Sequence, residues 1–211
     1  MAEEDPIQQA REQRLMTLAL VDQITGARWT EPALPGGVSL HGMLSHLLGW
    51  DEWAIAILEL SAVRELPVKL VTAYRDVDGF NARSVARYAN ISRDDLLAGL
   101  QGTSARLVSS ALAVGGAEWA QRRIPDLAPP RDGAAGADAG PSRGPSVGGI
   151  LRMLRQHERE HCVEVTTVFG VTVDMEQLRA DITGESRVAA HSSGPVASPR
   201  ATEQPQAPNQ P

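Results

Sequence analysis

A chain of 211 residues whose apolar positions recur every three or four residues, with strand-like alternation almost nowhere, predicts an all-α fold. Cap residues and breakers divide it into four long helical segments joined by short and long links, the pattern of a four-helix bundle. Hydrophobic residues make up 42% of the chain but aromatics only 4%, so the core rests on Leu, Val, Ile and Ala.

Each element has a local reason. Asp5-Pro6 opens the first helix, an acidic cap followed by proline at the first helical position. That helix carries Ile7, Leu15, Leu18, Val21 and Ile24 before Gly26 stops it. Residues 29–37, with Pro32, Pro35 and two glycines, form a turn-rich link. Ser39 caps a second helix running to about Leu60, and Pro67 marks a break. A shorter helix covers Asp78 to Tyr88, with Phe80, Val85 and Tyr88 available for packing. Ser92 to Asp95 reads as a capping box with Asp in place of Glu or Gln, opening a helix that ends near Gly115-Gly116.

Residues 125–149 turn to Gly, Ala, Pro, Asp and Arg. They bury too little apolar surface to offset their ordering entropy, so a flexible loop insertion is expected. Ser146 caps a final long helix to Phe169, closed by Gly170, and a short helical piece follows from Met175 to Ala180. Beyond Ile182 the Ser/Pro/Gln/Ala-rich chain predicts a disordered tail, so residues 1–182 form the bundle and 183–211 the tail.

Charge and composition exclude whole classes of function. The net charge is -6, from 26 acidic and 20 basic residues, and no Lys/Arg run supplies a nucleic-acid or anionic-membrane footprint. No stretch approaches the roughly 18 apolar residues of a membrane span, and the polar N-terminus lacks a signal-peptide core. Cys162 is the only cysteine, which rules out an intramolecular disulfide and fits a reducing compartment. A cytoplasmic protein is expected. Lys69 is the only lysine among many arginines, as GC-rich coding produces.

The chemistry concentrates on three histidines. Counting by threes and fours from His46 reaches Met43, Trp50, Trp53 and Ile57, all apolar, so His46 points toward the core. On the last helix the face through Ile150, Leu154, His157, His161, Val165 and Val168 is apolar except for its two histidines. His157 and His161 lie one turn apart, a spacing that offers two nitrogens to a single metal ion. The same pattern fits hydrogen-bonded core histidines; three on inner faces of two helices favour a shared ion, which would remove the cost of burying each ring. Glu158 after His157 is reminiscent of the His-Glu-x-x-His metalloprotease motif, without the surrounding protease architecture.

The segment SLHGMLSHLLGWDEWAIAILE resembles the second helix of the DinB-like superfamily, where a histidine followed by tryptophans supplies the first metal ligand. RDVDGFNARSVARYANISRDDLLAGL resembles the middle of that fold, and RMLRQHEREHCVEV resembles its last helix with two further histidines. The resemblance runs from Ile7 to Gly170, with residues 125–149 as an insertion. It implies a DinB-like four-helix bundle with His46, His157 and His161 as ligands of a divalent metal: zinc first, with nickel, iron or manganese as alternatives.

The superfamily includes thiol-dependent S-transferases, mycothiol-dependent maleylpyruvate isomerases and small self-resistance proteins. A C-terminal domain like that of the isomerases has no counterpart in these residues, so thiol transfer is expected rather than isomerisation.

Three neutral imidazoles leave a coordination position open, as catalytic sites do. The resemblance implies a low-molecular-weight thiol, mycothiol, as nucleophile toward a small reactive electrophile, in a detoxification reaction. A metal-dependent hydrolase in self-resistance or natural-product metabolism, and a non-catalytic sequestering bundle, stand as alternatives; a homodimer is compatible with each. Glu164, three residues past His161, is the weak catalytic candidate. Glu158 and Glu160 read as a solvated helix edge, and Asp51 and Glu52 as solvent-facing or paired between helices. Cys162 points about 100° away from His161 and reads as a packing residue. His41, near the start of its helix, and His191, in the tail, receive no role.

Overall fold

Every long helix begins at a side chain that accepts one of its otherwise unpaired backbone N–H groups. In the computed structural model, which describes residues 5–60, 70, 72–73, 76–114 and 146–183 (side chains to 180), Asp5 accepts from Ile7 and opens α1, Pro6–Asp22. Ser39 Oγ accepts from Gly42 N–H at 3.0 Å and opens α2, Leu40–Leu60. Asp76 caps α3, Val77–Arg87, and Ser92 caps α4, Arg93–Ala113. Ser146 caps α5, Val147–Phe169, which Gly170 closes in the left-handed conformation at φ 68°. Two short 3-10 turns, Gly26–Trp29 and Pro35–Gly37, fill the link between α1 and α2.

No strand occurs among the described residues; Leu34 and Val38 make one isolated bridge. Pro67, residues 125–145 and the tail from 184 onward lie outside the described residues. Among the described residues, those up to Val173 form one compact unit, and α6, Met175–Thr183, belongs to a second.

The long helices form two pairs. Arg14 on α1 meets Glu158 on α5 and Thr17 meets Cys162, so the residue numbers rise together and these helices are parallel. Likewise Asp51 on α2 meets Thr103 on α4, and Glu59 meets Arg106. α2 runs opposite to α5. The bundle is therefore up-down-down-up, with α3 packed against α2 on the way to α4. Contacts within each pair are far more extensive than contacts between the pairs.

The apolar core falls into two clusters. One holds Trp53, Ile57, Val108, Ala111, Ile150 and Leu151; the other holds Ile24, Leu40, Leu44, Leu96, Leu100 and Val165. A polar layer separates them, at the midpoint of each long helix. At its centre is Arg14, 6% exposed. Its Nη2 lies 2.9 Å from Asp51 Oδ2 on α2, and its Nε lies 2.9 Å from Glu158 Oε1 on α5, off the hydrogen-bonding direction. Nη2 also donates to Glu158 Oε2, and Nη1 donates to the Leu100 carbonyl on α4 at 3.3 Å. Thr103 Oγ1 donates to Asp51 Oδ2 at 2.6 Å. One guanidinium thus touches three other helices.

Three sequence expectations change here. Glu158, read as a solvated edge, is 5% exposed, because Arg14 supplies its counter-charge inside the bundle. Val168, read as inward-facing, is 39% exposed; its place on the inner face goes to Phe169 as α5 ends. Residues 147–149, which the sequence places both at the end of the loop and after the Ser146 cap, follow the cap and form the first turn of α5, with Val147 buried in the core.

Gly49 brings α2 against α3: a Cβ there would lie 2.7 Å from Ser84 Cβ. Gly49→Ala should lower the urea midpoint, with overpacking of about 1–3 kcal/mol outweighing the gain in helix propensity. Arg14→Met alone should cost about 3–5 kcal/mol in the same measurement, because it leaves two buried carboxylates unpaired.

Candidate metal centre

The antiparallel run of α2 and α5 places His46 opposite His161, and Trp50 opposite His157. His46 Nε2 lies 2.9 Å from His161 Nε2, which in turn lies 3.1 Å from His157 Nε2. The ring centroids of His46 and His157 are 5.2 Å apart. One ligand atom from each of the three side chains falls within 4.8 Å of the others. His46 is buried; His157 and His161 are partly exposed, so a small molecule can reach the cluster.

The second nitrogen of His161 is already engaged. Its Nδ1 donates to Glu164 Oε2 at 2.7 Å, one turn along the same helix. That hydrogen bond holds the proton on Nδ1, which leaves the Nε2 lone pair free on the side facing the other two rings. Glu164 therefore acts on the ring of His161, fixing its orientation and tautomer. Trp50 closes one flank: its ring meets His157 edge-on at 6.3 Å, touches Phe80 at 4.6 Å, and its indole N–H donates to Asn81 at 2.8 Å.

Burial, and then the neighbouring His161 and His157 rings, push the His46 pKa down to about 3. Burial and His161 push His157 down to about 4, against a smaller opposing pull from Glu160 and Glu164. Both imidazoles are thus unprotonated at neutral pH. Nitrogen ligands at about 2.0–2.1 Å from an ion lie a little over 3 Å from one another. The two spacings to His161 Nε2 are within a few tenths of an ångström of that, and all three ligand atoms lie within 4.8 Å of one another, so this donor set suits a borderline divalent ion such as zinc.

The remaining sequence candidates fall elsewhere. Cys162 is buried against Gln13 and Thr17, and burial raises its thiol pKa to about 11, so it is a packing residue and not a nucleophile. Glu160 is exposed and accepts from Gln156. Glu52 pairs with Arg87 at 2.7 Å on the surface. Asp51 belongs to the inter-helix pair with Arg14; burial raises its pKa to about 6, although the Arg14 charge pulls it down. His41 Nε2–H donates to the Ile91 carbonyl. His191 lies outside the described residues.

Arg14 escaped the sequence reading, yet a signal for it existed. It sits seven residues from both Ile7 and Val21, two buried positions on α1, and therefore shares their face. A cavity of about 760 Å³ between α2 and α3 is lined by Trp53, Ala56, Phe80 and Ser84 among others, and does not include the histidines. Trp50, in contact with both Phe80 and His157, links the two places.

No helix among the described residues is long and apolar enough to cross a membrane.

In the metal-free protein, His46 and His157 carry folded-state pKa values below the unfolded value of 6.5. Their contribution to stability is complete above pH 6.5 and is lost as the pH falls through about 4 and then about 3. Asp51 acts in the opposite sense, its raised pKa favouring the fold below about pH 6. The urea midpoint of chelator-treated protein should therefore fall more steeply between pH 7 and pH 4 than that of a His46→Gln/His157→Gln chain, in which Asp51 is unchanged.

The family model described as the mycothiol maleylpyruvate isomerase N-terminal domain matches residues 10–140. That span holds His46, Arg14, Asp51 and Thr103, and ends before His157, Glu158, His161 and Glu164. No curated protein and no solved structure matches the chain.

Proposed function

Because the chain belongs to the mycothiol maleylpyruvate isomerase N-terminal domain family, within the DinB-like superfamily, we propose that His46, His157 and His161 hold one divalent metal ion, zinc first. On this reading the protein transfers a low-molecular-weight thiol, mycothiol, to a small reactive electrophile in the cytoplasm. The observation that carries the reading is the convergence of three imidazole Nε2 atoms, two of them on rings held unprotonated by burial.

An ion bound there would lower the pKa of a thiol so that the thiolate predominates near neutral pH. The protein's own residues do the rest. The three imidazoles bring no negative charge of their own, so they would leave the full positive charge of an ion to stabilise a thiolate. Glu164 keeps His161 in the tautomer whose Nε2 is free. Trp50, buried against Phe80 and Trp53, packs its ring against His157 and fixes that flank of the cluster. No side-chain nucleophile is required, consistent with the raised pKa of Cys162.

Elemental analysis of the purified protein should find about one divalent ion per chain. His157→Ala should abolish that ion and thiol transfer to a model electrophile, while the helical circular dichroism is retained. Turnover of the electrophile without added thiol would instead identify a hydrolase, and a wild-type chain that neither contains nor takes up zinc, nickel, iron or manganese would end the metal reading.

A further inference from the structure

We infer that Arg14 is a positioning residue for the histidine cluster: one guanidinium from α1 fixes the height and rotation at which α2 and α5 present their imidazoles to one another. The inference rests on the metal reading above and deepens it. Arg14 touches neither a histidine nor, on that reading, the ion.

The placement of its partners carries the inference. Glu158 directly follows His157 and lies three residues before His161. Asp51 directly follows Trp50, whose ring edge meets His157, and lies five residues after His46. Holding Asp51 and Glu158 on one guanidinium, at 2.9 Å each, therefore holds α2 and α5 at the level of the cluster. The apolar contacts cannot do this alone, because they carry no direction. Both apolar clusters draw residues from all four long helices, but close backbone approach is concentrated within the α1/α5 and α2/α4 pairs, and the histidines straddle the seam between the pairs.

The chemistry of the group suits the task. Guanidinium is a planar fork with five donors, and it meets carboxylates in fixed directions, whereas an ammonium is a point charge that can rotate. Arg14 spends these donors on three helices, and a fourth hydrogen bond, Thr103 to Asp51, fixes the carboxylate it holds. Stability alone does not call for such a node, since buried ion triads replaced by apolar residues of like volume often leave a protein equally or more stable. What apolar residues do not reproduce is direction. The charges facing the node from each packed helix are Asp51 from α2 and Glu158 from α5, with Thr103 and the Leu100 carbonyl from α4 as neutral partners.

The test uses the full-length protein and zinc alone as the probe. The apolar triple variant Arg14→Met/Asp51→Leu/Glu158→Met should fold, with wild-type helicity and an equal or higher urea midpoint. Its zinc affinity, measured by competition with a chromophoric chelator, should fall about 10- to 100-fold, the range seen when groups that orient metal ligands are removed. Cobalt substitution should show a weakened d–d absorption band in the same variant. Arg14→Lys, which keeps the charge and loses the fork, should lose affinity in the same direction. A folded triple variant with wild-type zinc affinity and an unchanged cobalt spectrum overturns the positioning role and leaves the metal reading intact. If the triple variant does not fold, Glu158→Gln with unchanged zinc affinity overturns it equally. A wild-type chain that takes up no metal overturns both.

Discussion

The structure depends on a charge that has been moved indoors. Arg14 lies at the centre of the bundle, beyond the reach of water, where a lone guanidinium would be prohibitive without compensation. Burial by itself would lower its pKa, but the carboxylates of Asp51 and Glu158 more than reverse that, and it is raised. The partners come from different helices, so compensating this one charge brings α1, α2, α4 and α5 to a common level. The apolar residues then fill the space on either side as two separate clusters. A hydrophobic interface tolerates sliding and rotation with little penalty, whereas a forked ion pair does not. The polar layer therefore supplies the register that the Leu- and Val-rich faces leave underdetermined.

The same layer contains the histidines. Burial keeps His46 and His157 unprotonated, the state in which an imidazole donates to a metal, and Glu164 selects the free nitrogen of His161. These are three different causes acting on three rings: desolvation, mutual repulsion and a hydrogen bond. They produce one outcome, lone pairs directed at a shared point. Two helices, a carboxylate and an indole hold these rings together.

Much of the fold was legible because it is written locally. Asp5, Ser39, Ser92 and Ser146 each sit where a helix must find a partner for its first N–H groups, and each does so in the structure. Gly170 closes α5 because its φ of 68° suits glycine. Helical periodicity also placed Met43, His46, Trp50, Trp53 and Ile57 on one buried face of α2. On α1 periodicity misled: Leu15 and Leu18 are only partly buried, and Gln13, Arg14 and Thr17 take the innermost positions. A rule that sends charges outward fails wherever another helix supplies the opposite charge, and the partners of Arg14 are 37 and 144 residues away.

By itself, then, the sequence determined the helices, their caps and the inward face of each histidine, because these follow from backbone hydrogen bonding and the 3.6-residue repeat within about a dozen neighbouring residues. Which helices run beside which, and that His46 meets His161 across 115 residues of chain, were decided by the tertiary structure alone. So was the inversion of Glu158 from solvated edge to buried counter-ion. The physical reason is the same for each. The energy of a buried charge or a shared metal site depends on atoms brought together from distant parts of the chain, and no local window contains both partners.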